Sequence, residues 1–201
     1  LDRIFFADEK IHQEFLDVYA GLYASKERYV DIVKVLGSQF YGMTQKEIST
    51  AIDVKTGGTL TKLLENLMES GIIRAYPRYG KERVETVYQL MDFFSLFYLR
   101  FIQGKQAKKG IWNSIHGTPT FYTWAGDTFE LLCVEHLPQI QDTLRIASIN
   151  RNYCWSGKSP DGRGAQIDLL LESKADRTDY LCEMKFTGGK YAITKTDEED
   201  D

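Results

Sequence analysis

Gln166-Ile-Asp-Leu-Leu-Leu-Glu172 and Tyr180-Leu-Cys-Glu-Met-Lys-Phe186 decide how the second half of this chain folds. Both segments carry residues that suit a pleated surface, and Ser173 to Asp179 between them is polar, so they read as two strands joined by a turn. Side chains alternate across a strand. Ile167, Leu169 and Leu171 therefore share one face, and Asp168 points to the other. Glu183 and Lys185, two apart, also share a face. A charge in the middle of an apolar strand is costly unless it is paired or binds a metal. Two carboxylates at this spacing, Asp168 and Glu183, can hold one hard divalent cation, with water completing the octahedron. The cation would activate a water and neutralise charge on a phosphodiester. Lys185 would sit beside that water or the developing charge. The competing reading of the trio is a structural ion pair between Lys185 and one acid.

Upstream, Ala125 to Ile140 reads as a helix with Phe129, Leu132, Cys133 and His136 on its inner stripe. Ile146 to Asn150 and Asn152 to Trp155 are strand-like, and Ser156 to Gly164 is a glycine-rich turn. A carboxylate, a hairpin turn and then acid-x-lysine resembles the PD-(D/E)xK nuclease superfamily, here as Asp168 and Glu183-Met184-Lys185. The resemblance implies a restriction-endonuclease-like α/β domain, Mg2+ or Mn2+ as cofactor, and a further acid from the preceding helix. Glu130, in Gly126-Asp127-Thr128-Phe129-Glu130, occupies that place, and Gln166 would face the same side as Asp168. Pro160-Asp161 offers an alternative first acid but lies in a loop outside the strand.

The first half follows a different pattern. Asp8 can cap a helix running to Tyr23, and a second helix is expected near Lys26 to Phe40. Thr44-Gln45-Lys46-Glu47 is a capping box opening a short helix, Gln45 to Ala51. After the turn Asp53 to Gly58, Thr59 or Thr61 starts a helix through Leu60, Leu63, Leu64 and Leu67 that stops at Ser70-Gly71. Ile72 to Tyr76 and Val84 to Leu90 flank a basic, glycine-containing loop, and Asp92 caps a closing aromatic helix. Helix, turn, helix, hairpin is the order of a winged helix-turn-helix, which Tyr29 to Leu90 resembles throughout. That resemblance implies a recognition helix near Thr59 to Ser70. Lys55, Thr56, Thr59, Thr61 and Lys62 would face DNA, and Arg78, Lys81 and Arg83 would lie on the wing. Scaffolding without DNA stays open, because Glu65, Glu69, Glu82 and Glu85 lie among the basic residues.

The expected class is therefore α+β: a helical winged helix-turn-helix domain over 1–104, then a truncated PD-(D/E)xK-like domain over 105–201, joined by the polar Gln103 to Lys109. The order of parts resembles the C-terminal region of prokaryotic ATPases of the archaeal-type AAA class. The matching stretches are Tyr88 to Phe101, Gly126 to Cys133, Ala165 to Leu169 and Leu181 to Phe186. This implies an ATPase domain elsewhere in a longer chain, and Leu1 in place of methionine leads us to expect a piece of a longer protein. It implies DNA, and in an alternative reading a protein, as the partner. Gly37 to Thr44 mimics a P-loop, but Met43 replaces the lysine, so ATP binding is expected only in the absent N-terminal domain. The chain ends soon after Lys185, so the nuclease-like domain is expected to be incomplete.

Composition narrows the classes. With 201 residues, 43% of them hydrophobic, a packed core is affordable. No apolar run approaches the ~18–20 residues that span a bilayer, so no membrane partner is expected. No signal peptide opens the chain, and cytoplasm is the expected compartment. The net charge is −4, but the run Asp197 to Asp201 accounts for it, and the remainder is near neutral. Cys133, Cys154 and Cys182 are widely spaced and read as buried free thiols. His12, His116 and His136 lack neighbours at metal-ligand spacing.

Overall fold

The computed structural model describes residues 13–18, 26–81, 85–104, 111–158 and 162–192. These divide into two compact units, one within Leu1–Ala75 and Glu85–Trp124, the other within Tyr76–Val84 and Ala125–Asp201. The architecture is α+β, with two small antiparallel sheets. Among the described residues no helix is long and apolar enough to cross a membrane.

In the first unit, residues 13–18 are helical and α1 is Lys26–Gly37. The expected helix start at Asp8 lies outside the described residues. α1 stops before Phe40, where the Ser38 hydroxyl donates to the Val35 carbonyl at 2.7 Å. A Cβ at Gly37 would lie 2.3 Å from Leu99 Cδ1, so a larger residue there would have to displace that side chain. The two-residue strand β1 (Met43–Thr44) leads into α2 (Gln45–Ala51), and the capping box forms as the sequence predicts. Glu47 Oε2 accepts from Thr44 N at 2.7 Å, and Thr44 Oγ1 from Glu47 N at 3.3 Å.

α3 is Gly58–Glu69, with Gly57 rather than a threonine as N-cap. The expected cap at Thr59 or Thr61 does not form. The Thr61 hydroxyl instead donates to the Gly57 carbonyl and accepts from Gln45 Nε2, which ties α3 to α2. At the other end Gly71 adopts φ +69°, and the Gly71 and Ile72 amides return to the Met68 and Leu67 carbonyls. This is a Schellman closure, which favours glycine because a Cβ opposes positive φ. Strands β2 (Ile73–Pro77) and β3 (Thr86–Leu90) complete a sheet of order β1-β3-β2. Asp92 caps α4 (Phe93–Phe101), its carboxylate accepting from Ser95 N at 2.8 Å. Ile32, Val33, Ile48, Leu60, Leu64 and Leu67 form the centre of one apolar cluster, and Trp112 and Trp124 pack against it.

α5 is Ile111–Ile115, and α6 runs over Pro119–Glu135, starting earlier than Ala125. The Thr118 hydroxyl accepts from Phe121 N at 3.2 Å, and proline at the first helical position needs no donor partner. α6 does not continue to Ile140. Pro138 lacks an amide, and a separate helix, α7 (Leu137–Leu144), begins around it.

The sheet of the second unit has the order β4-β5-β6, antiparallel throughout. β4 is Arg151–Lys158, β5 Gly164–Ser173 and β6 Thr178–Cys182. Residues 146–150, expected as a strand, do not form one. Their polar groups serve the β5–β6 turn instead: Ala147 N donates to Asp176 Oδ2, and Asn150 Oδ1 accepts from Lys174 N. β4 in turn extends into the segment expected as a turn, pairing Lys158 with Gly164. A bulge between Tyr153 and Trp155 interrupts the β4–β5 ladder. Four consecutive β5 residues, Asp168 to Leu171, are buried, so this strand is covered on both faces at its centre.

Candidate functional site

β5 and β6 pair Leu171 with Tyr180, Leu170 with Leu181 and Leu169 with Cys182. Pairing stops there; one further step of the same register would have set Asp168 opposite Glu183. Ile146, Leu169 and Leu171 form the buried cluster, with Tyr180, Cys182 and Met184 packed against it. Asp168, next to Leu169 on β5, alternates to the other face of the sheet from that cluster.

Asp168 is 5% exposed. Its Oδ2 accepts from the Met184 amide at 2.9 Å and its Oδ1 from Gln166 Nε2 at 3.3 Å. The strand expected to reach Phe186 ends at Cys182, because the Met184 amide goes to this side chain and not to a ladder carbonyl. Glu183 and Lys185 are exposed, and the Lys185 ammonium donates to Glu183 Oε1.

Glu130 on α6 belongs to the same electrostatic group. Burial pushes its carboxyl up to about 8, and the charges of Asp168, Asp127 and Glu183 add to the rise while Lys185 opposes it. The Glu183 carboxyl is also raised, first by burial; its hydrogen bond to Lys185 counteracts this and the charge of Asp168 reinforces it. The Lys185 ammonium is held above its ordinary range, chiefly by the hydrogen bond to Glu183. Asp168, Glu183, Lys185, Glu130 and Gln166 are thus brought together. Asp127 joins them without having been singled out in the sequence. The signal was there: Asp127 and Glu130 are three apart on a helix and share a face. Asp161 lies outside the described residues.

These donors are carboxylate oxygens gathered where negative charge is already in excess, which suits a hard divalent cation. Among the described residues, no group of three or more His, Cys, Asp or Glu is spaced to hold a metal as it stands. Asp168 and Glu183 would therefore form a two-carboxylate site that relies on water or substrate oxygens for its other ligands.

The candidate DNA-facing residues fall around the start of α3 and on the loop after β2. Lys55, Thr56, Thr59 and Lys62 are exposed, as are Arg78 and Lys81; Arg83 lies outside the described residues. Thr61 departs from the expectation: it is half-buried and its hydroxyl is engaged with Gln45 and Gly57. The segment Gly37 to Thr44 closes α1 and enters β1, which is not the strand-loop-helix setting of a phosphate-binding loop. The three cysteines are free and half-buried, not buried. Burial raises the thiols of Cys133 and Cys182.

No protein-family model, curated protein or solved structure matches this chain.

Proposed function

We propose that this chain is a DNA-binding, metal-dependent nuclease-like module that hydrolyses phosphodiesters, built as a winged helix-turn-helix followed by a PD-(D/E)xK-like domain. The observation that carries the reading is the buried Asp168 carboxylate beside Glu183, Lys185 and Glu130 on one hairpin and one helix. Order of parts and the stretches named above support a place behind the ATPase domain of a prokaryotic archaeal-type AAA protein, working in the cytoplasm.

Asp168 and Glu183 would hold Mg2+ or Mn2+. Bound there, the cation supplies Lewis-acid charge that lowers the pKa of water and neutralises a phosphodiester. Gln166 and the Met184 amide keep the Asp168 carboxylate from rotating. Lys185 offers ammonium protons to a developing negative charge. Glu130, its carboxyl raised by burial and by the neighbouring acids, would be able to hold or release a proton at the site. Lys55 and Thr56 before α3, Thr59 and Lys62 on it, and Arg78 and Lys81 beyond β2, would contact phosphates.

Incubation with plasmid DNA and Mg2+ or Mn2+ tests the catalytic part. Cleavage is expected, and Asp168→Ala should lower it by more than the ~10–100-fold typical of removing a group that merely supports a metal ligand. Absence of cleavage, or cleavage indifferent to that substitution, sinks the nuclease reading.

One observation favours a second reading, a non-enzymatic DNA- or protein-binding module of the same ATPase: Lys185 is already spent on Glu183. In that case Lys62→Ala and Lys81→Ala should each weaken DNA binding and lower the salt slope by about 1 while no cleavage occurs. If no DNA affinity exists at low salt, the DNA version fails and a protein partner remains.

A further inference from the structure

We infer that Asp168 is a positioning residue as well as an acid of the site: its carboxylate takes the place of the next rung of the β5–β6 ladder and fixes the backbone that presents Glu183 and Lys185. The catalytic meaning of this rests on the function proposed above; the structural device does not.

Regular pairing ends at Leu169 with Cys182. Beyond it, residues 183–187 leave the sheet, and a chain leaving an edge strand ordinarily gives its amides to water. Met184 does otherwise. Its amide donates to Asp168 Oδ2 at 2.9 Å, and that acceptor is almost wholly shielded from solvent. A hydrogen bond from a backbone amide to a sheltered carboxyl oxygen is costly to break, because nothing else is at hand to replace it. The Met184 side chain also packs against the cluster of Ile146, Leu169 and Leu171. The residue between Glu183 and Lys185 is therefore held at both its amide and its side chain, which leaves the two charged side chains flanking a fixed point.

Asp168 and the Glu183-Met184-Lys185 triplet are thereby coupled. Any ligand that draws the Asp168 carboxylate to itself also acts on the Met184 amide, and through it on where Glu183 and Lys185 stand. The two halves of the site move as one piece, which a pair of independently placed acids would not do.

Amide hydrogen exchange at Met184 tests this without requiring turnover, so its outcome is separate from that of plasmid cleavage. In the unaltered chain Met184 should exchange slowly. Asp168→Ala should speed its exchange by on the order of tenfold or more while Leu169 to Leu171 stay protected. Asp168→Asn keeps an acceptor oxygen and should retain most of the Met184 protection. Unchanged exchange in Asp168→Ala, or equal loss in both variants, overturns the inference. Should Asp168→Ala fail to fold, scalar coupling across the hydrogen bond between Met184 15N and the Asp168 carboxyl 13C, measured in the unaltered chain, decides. Its presence supports the clamp; its absence, with couplings visible elsewhere in the sheet, overturns it.

Discussion

In the first unit, Ile32, Val33, Ile48, Leu60, Leu64 and Leu67 are completely or almost completely buried and pack into one continuous cluster. In the second, the buried cluster is Ile146, Leu169 and Leu171, and the position beside it on β5 is given to Asp168. The first arrangement draws its stability from apolar area, at roughly 25 cal/mol per Å2 removed from water. The second keeps a sheltered carboxylate in the middle of a strand, which costs free energy unless hydrogen bonds or a cation offset it. Proteins break their own patterning rules mostly where something must be done, so the contrast points to the second unit as the place of chemistry.

The contrast can be broken most directly in the first unit. Leu64→Ala should cost about 2–5 kcal/mol in urea unfolding, because it removes a fully buried side chain from a packed cluster. A cost under about 1 kcal/mol would mean that this cluster collapses freely and is not the stabilising centre that its burial implies.

A smaller effect sharpens the other side. Glu130 binds its proton more tightly folded than unfolded, since its carboxyl is pushed up to about 8. Between the ordinary carboxyl range and about pH 8 the folded chain keeps a proton that the unfolded chain has lost. Stability should therefore fall as pH rises through that window and level off above it. Glu130→Gln removes the titrating group, so its unfolding free energy should depend less on pH over the same range. Parallel profiles for the two chains would show that Glu130 is not held in an acidic, desolvated setting.

Much of this was legible in the sequence, and the misses share a cause. Local chemistry gave the Thr44 to Glu47 box, the Asp92 cap and the Gly71 closure, because each depends on residues a few positions apart. The hairpin of β5 and β6 was legible from alternation. What failed depended on partners distant in the chain. Residues 146–150 look like a strand but give polar groups to the β5–β6 turn near Asp176. β6 looks as if it reaches Phe186, but a side chain from the neighbouring strand takes its next amide. Thr61 looks like a cap or a DNA contact, but Gln45 claims it. For the site, the carboxylates could be chosen from pattern alone; Asp127, three before Glu130 on the same helix, was open to the same reading, and its charge adds to the rise at Glu130.

The proposed function requires Asp168 and Glu183 to form one cation site. Crystals soaked in Mn2+ and measured at the manganese edge test it most directly. An anomalous peak is expected between the two carboxylates, ligated by an oxygen of each. No peak there, with the Lys185 ammonium still on Glu183, would contradict it.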